Sequence, residues 1–260
     1  MNELFAKLTN LSYEIFGVFL PGMVTSMFAI LLWAALGNLA PYWTHDVLPI
    51  FVLDTLRALI NSLNVASGIG AGIPILGIWY FLGHIILWIG RSGKARADAM
   101  SAPFRRLGLS LIFRIPRPVE PFNTKLDPLF DLAKKNFVTD GLTMEWRQFF
   151  PVAKIFLSQR LTTSLVTTYQ NKYTFHRSVV TISALLFWVS ILALSCAYIS
   201  VRAGAPAPYW WALFTLAVGA IIFVWNFSAS YLYHWEMFGN SIVTETYSLL
   251  YAPKDASNPK

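Results

Sequence analysis

Apolar residues fall in long blocks along this chain rather than alternating with polar ones. Four stretches, at about residues 15–37, 69–90, 179–201 and 209–231, contain no Asp, Glu, Lys or Arg. Each matches the roughly 20 residues a helix needs to cross ~30 Å of hydrocarbon. The pattern therefore predicts an all-α integral membrane fold with four transmembrane helices. Pro21-Gly22 lies near one end of the first stretch, where a kink is tolerated. A cleaved leader is the competing reading of that stretch, with Ala35-Leu36-Gly37 as its cleavage site. Against it, the apolar run exceeds the usual 7–15 residues of such a segment.

Residues 48–64 break the pattern. They are apolar but carry Asp54, Arg57, Asn61 and Asn64, spaced to share one face of a helix. An amphipathic helix on the outer leaflet is expected here, with a fifth span as the alternative. Asp54 and Arg57 are close enough in register to form an ion pair within one helix.

Charge orients the chain. From Arg91 to Arg177 there are 15 Lys/Arg against 6 Asp/Glu, a balance of +9. The segment before the second span and the one between the third and fourth carry only Arg57 and Arg202. By the positive-inside rule the 92–178 domain and both termini are expected in the cytoplasm. Tyr42, Trp43, Tyr209, Trp210 and Trp211 then mark the outer boundary, and Trp88, Tyr233 and Trp235 the inner one. A hydrophobic fraction of 56% with only 13% charged residues agrees with a bilayer environment. A single Cys, Cys196, excludes an internal disulfide and a multi-thiolate metal site; it is read as a buried thiol without a role.

The expected organisation is an N-terminal transmembrane hairpin (1–91), a basic and mostly helical cytoplasmic domain (92–178), and a C-terminal hairpin whose last helix extends into the cytoplasm (179–251). A disordered tail (252–260) follows. A short helix is expected from Asp127 to Phe137, with a turn at Thr139-Asp140-Gly141. Val152 to Arg202 holds neither Pro nor Gly, which predicts one continuous helix. Its cytoplasmic half carries an apolar stripe, Leu157, Leu161, Leu165, Tyr169 and Tyr173. The expected partner is the extension of the fourth span, with Trp235, Phe238, Ile242, Tyr247 and Leu250.

Candidate chemistry is sparse. Gly68, Gly70 and Gly72 precede an apolar span, so close helix packing or a tight turn on the outer side explains them better than a dinucleotide loop, which needs a preceding strand. His176 and His234 are expected at similar depth at the cytoplasmic ends of two antiparallel spans, with Glu236 nearby. They are weak metal-ligand candidates, because a close-spaced ligand pair is missing. His84 lies inside the second span, where an ionisable group faces the bundle or a water path, or bonds a neighbouring helix. Asn226, Ser228 and Ser230 make the inner half of the fourth span polar, for interhelical bonding or a pore lining. Arg91, Lys94, Arg96, Arg105 and Arg106 fit anionic lipid headgroups. No nucleic-acid recognition module, Walker loop, HExxH or nucleophile motif is found. No cofactor is expected.

Two stretches carry a resemblance. Tyr13-Glu-Ile-Phe-Gly-Val-Phe-Leu-Pro21-Gly22 opens the first span, and Tyr169-Gln-Asn-Lys-Tyr-Thr-Phe-His-Arg177-Ser enters the third. Together they are similar to uncharacterised bacterial four-helix membrane proteins, some of which resemble membrane effectors of anti-phage defence. The resemblance implies an inner-membrane protein that perturbs the bilayer once triggered, and it transfers no catalytic residue. The expected function is non-enzymatic and works by assembly, as a homo-oligomer or with a partner protein, with pore formation as one form. A transporter or channel subunit, or a membrane enzyme with an unrecognised site, is the alternative.

Overall fold

The structure, a computed structural model, describes residues 11, 14–40, 75–89, 121–138, 144–161 and 164–251. Among the described residues every regular element is helical. A π-turn at Ile15–Phe19 leads into α1 (Leu20–Leu36); α2 is Ile75–Ile89; a 3-10 turn at Thr124–Leu126 leads into α3 (Asp127–Lys135). Then come α4 (Trp146–Arg160), α5 (Leu165–Arg202) and α6 (Trp210–Tyr251). Three helical stretches, Ile15–Leu36, α5 and α6, are long and apolar enough to cross a membrane, which is compatible with a multi-pass membrane protein. α2 is a shorter apolar helix of 15 residues; the rest of the expected second span lies outside the described residues. So do the amphipathic segment at 48–64, the turn at 139–141 and the tail. The chain divides into two compact units.

The first unit comprises Met1–Tyr13, Pro116–His176 and Ala229–Lys260. Its described helices start where local chemistry allows. Pro128 sits in the first turn of α3, where its missing N–H is harmless. Glu145 and Gln148 form a capping box that opens α4. Phe122, Phe130, Trp146, Phe149 and Leu157 pack with Phe238, Ile242 and Val243 of α6. The rings interlock, with Phe130 and Phe149 at 5.0 Å edge to face. Gly239 admits the backbone of Pro121: a Cβ there would lie 1.8 Å from the Pro121 carbonyl oxygen. Asn240 Oδ1 accepts from the Asn123 N–H at 2.8 Å and holds the same crossing.

The continuous helix expected from Val152 to Arg202 is interrupted. α4 ends at Arg160, Leu161 is extended at φ −110° and ψ 126°, and α5 begins at Leu165. The cause is a polar cap. Ser164 Oγ accepts from Val166 N–H at 3.1 Å and donates to Glu245 Oε2 at 2.6 Å. Glu245 Oε1 accepts from Leu165 N–H at 2.7 Å. A carboxylate on α6 thus satisfies the donors that a new helix start exposes. α4 also contains Pro151 and begins at Trp146, six residues upstream of the Pro-free run.

The second unit comprises Glu14–Ile115 and Arg177–Ser228. Here the Ile15–Leu36 helix and α2 run antiparallel in backbone contact. A Cβ on Gly22 would meet the Trp79 carbonyl oxygen at 1.8 Å, and one on Gly83 would meet that of Val18 at 2.0 Å. Small residues at a crossing let backbones approach this closely. At one end of the unit, Ala35, Leu36, Leu39, Ala193, Ala197 and Leu213 bury one another. Gly37 turns the chain there at φ 53°, against the ring of Tyr209, whose N–H donates to the Ala35 carbonyl at 3.0 Å. Hydroxyls within the apolar helices bond their own backbone, as Thr25 does to Pro21 O at 2.8 Å.

Candidate functional site

Two features concentrate polar chemistry, one in each unit. The first lies on α6 within the second unit. Leu213, Ala217, Ala220, Val224 and Ser228 form its buried stripe. Opposite that stripe stand Ala212, Thr215, Gly219, Ile222 and Asn226, spaced 3, 4, 3 and 4. All are exposed except Gly219, which is partly buried. A Cβ at Gly219 would meet nothing within 4 Å. This heptad spacing is that of a helix-packing seam, and bulky Phe214, Ile221 and Trp225 border it. Ser228, on the buried stripe, is satisfied by Val224 O at 2.5 Å. Asn226 is instead exposed on this apolar helix.

The second feature is the histidine pair of the first unit. The rings of His176 and His234 lie 4.8 Å apart, centre to centre. His176 Nδ1 stands 2.7 Å from the carbonyl of Lys172. A carbonyl only accepts, so Nδ1 carries a proton, and in the neutral ring Nε2 holds the lone pair. His234 Nδ1 is buried with no hydrogen-bond partner. Tyr169 and Tyr233 border the His234 ring at 6.1 and 5.2 Å. His234 lies three residues beyond the 209–231 apolar stretch. Burial, then the charges of His176 and Lys172, hold its imidazole below the usual histidine range. Glu236 follows two positions later, about 200° around the helix by the 3.6-residue period, so it does not join the pair. Among the described residues no group of three or more His, Cys, Asp or Glu is arranged to hold a metal.

The other expected residues fall variously. Leu157 is buried (1% exposed) against Phe238 and Ile242, Leu161 packs at the edge of that core, and Leu165 stands 57% exposed. Tyr169 and Tyr173 pack against the same core beyond the helix break, so Leu165 alone leaves the stripe. His84 is exposed on α2, edge-on to Tyr80 at 4.5 Å. Cys196, expected to be buried, is exposed: Ala193 and Ala197 take the inward face on either side of it. Asp54, Arg57, Gly68, Gly70, Gly72, Arg91, Lys94, Arg96, Arg105 and Arg106 lie outside the described residues. The Gly22, Gly83 and Gly239 contacts and the Glu245 cap were not anticipated. For Glu245 a weak signal existed: one of only two carboxylates in a 42-residue, largely apolar helix. Comparison with known protein families, with curated proteins and with solved structures found no match.

Proposed function

We propose that the chain is a non-enzymatic membrane protein that acts by self-assembly through the open seam of α6. It sits in a bacterial inner membrane with four spans and both termini cytoplasmic, and perturbs that membrane as an effector of antiviral defence. The observation that carries the assembly reading is Asn226, exposed on an apolar helix and set in a heptad-spaced seam with Ala212, Thr215, Gly219 and Ile222. In hydrocarbon an amide gains most by bonding another helix, and Gly219 lets such a helix come close. Repeated around an axis, the seam would bring Thr215 and Asn226 of several copies together, as a polar lining requires.

The test uses bacterial cells carrying a membrane-potential dye and the full chain labelled for copy counting. Wild type should depolarise the membrane as an oligomer. Asn226→Leu should reduce both effects while the protein level is unchanged. A chain that is monomeric in native membranes and gives no conductance when reconstituted would end this reading. Loss of activity in His176→Ala or His234→Ala, with assembly intact, would favour a membrane enzyme or transporter instead.

A further inference from the structure

Beyond the assembly reading, and independent of it, the histidine pair has the makings of a ligand site. We propose that His176 and His234 bind one borderline divalent metal ion, zinc being the best fit, as a two-histidine clip between α5 and α6. Three observations converge. First, two imidazoles sharing a tetrahedral ion at about 2.0–2.1 Å per nitrogen hold their ring centres roughly 5 Å apart, and these rings are at 4.8 Å. Second, the bond from His176 Nδ1 to the Lys172 carbonyl is the outer contact that metal-binding histidines ordinarily make. It orients the ring and, in the neutral imidazole, leaves the lone pair on Nε2. Third, His234 Nδ1 is a buried nitrogen for which the protein supplies no partner. A buried polar atom left so is costly, and a bound ion removes the cost.

Imidazole nitrogen suits zinc, whereas magnesium and calcium take oxygen. With two protein ligands, water completes the coordination. The Lys172 ammonium faces the site from α5, over the Tyr169 ring at 5.5 Å. Its positive charge opposes a cation, which limits affinity and supplies a control.

The experiment uses the full chain with Cys196→Ser, in lipid nanodiscs, titrated with zinc against a chromophoric chelator. One zinc per chain is expected, with a raised thermal midpoint. His176→Ala and His234→Ala should each weaken binding at least tenfold; His84→Ala should bind as the parent does. Lys172→Gln should bind more tightly, a result that a merely structural role for these residues would not produce. Should an alanine variant lose helicity, His176→Gln and His234→Gln keep the bulk and serve in its place. The proposal is overturned by parent binding no stronger than that of the double variant. It is overturned equally by single variants that bind like the parent, or by one zinc per two chains.

Discussion

Replacing Gly22 with Ala should separate the first two helices. A Cβ at that position falls 1.8 Å from the Trp79 carbonyl oxygen, a backbone atom that cannot swing aside. Restoring ordinary contact requires the helices to part by about 1.6 Å. A gap of even 0.5–1 Å forfeits roughly a quarter to a half of each contact, so most packing at the crossing is lost. Overpacking ordinarily costs about 1–3 kcal/mol; with backbone as the obstruction, about 2–3 kcal/mol is expected. That is a roughly 30- to 150-fold fall in the ratio of paired to separated helices. Energy transfer between dyes on the two helices, in bicelles titrated with a denaturing detergent, measures that ratio. Gly83→Ala should behave alike, since its Cβ would meet Val18 O at 2.0 Å. The double variant should cost little more than either single one, because both act on one crossing. Gly77→Ala is the control: its Cβ would meet nothing within 4 Å. A Gly22→Ala protein within about 0.5 kcal/mol of wild type would refute the backbone contact.

Phe149 is fully buried and touches the rings of Phe130, Phe137 and Trp146. Phe149→Ala should destabilise the first unit by about 3–5 kcal/mol, measured by denaturant titration with Trp fluorescence; a loss below about 1 kcal/mol would contradict that core. Glu245→Ala removes the acceptor from Ser164 and Leu165 and should cost about 1–2 kcal/mol. Glu245→Gln, which keeps an acceptor oxygen, should cost less in the same assay, and equal losses would argue against the cap. With Cys196→Ser as background, a cysteine at position 125 should resist an impermeant thiol reagent applied to intact cells. Labelling from outside would overturn the orientation read from charge.

Parts of this fold were legible because they depend on composition within a window. The apolar helices announce themselves by lacking charge over some 20 residues. Phe238 and Ile242 could be matched to Leu157 because all three keep a helical period, and the structure buries them together. Other parts depend on distant atoms. Pro21-Gly22 reads locally as a kink, but Gly22 is a notch for a backbone that arrives more than 50 residues later. Val152 to Arg202 reads as one helix because neither Pro nor Gly forbids it. Its interruption is decided by the α6 carboxylate that bonds Ser164 and Leu165. The two histidines were placed at one depth by topology; that their rings meet, without Glu236, needed the rotation of each helix about its axis.

The cap at the start of α5 has a consequence for synthesis. Glu245 follows Ser164 by 81 residues. At about 5–20 residues per second, roughly 4–16 s pass between the ribosome's delivery of one and of the other. Throughout that interval the nascent segment contains no Glu245 to receive the Ser164 hydroxyl and the Leu165 amide. The bend must therefore be installed late, once α6 has emerged. α6 thus acts as a template that shapes sequence made long before it, and a chain released before Glu245 lacks the instruction for that corner.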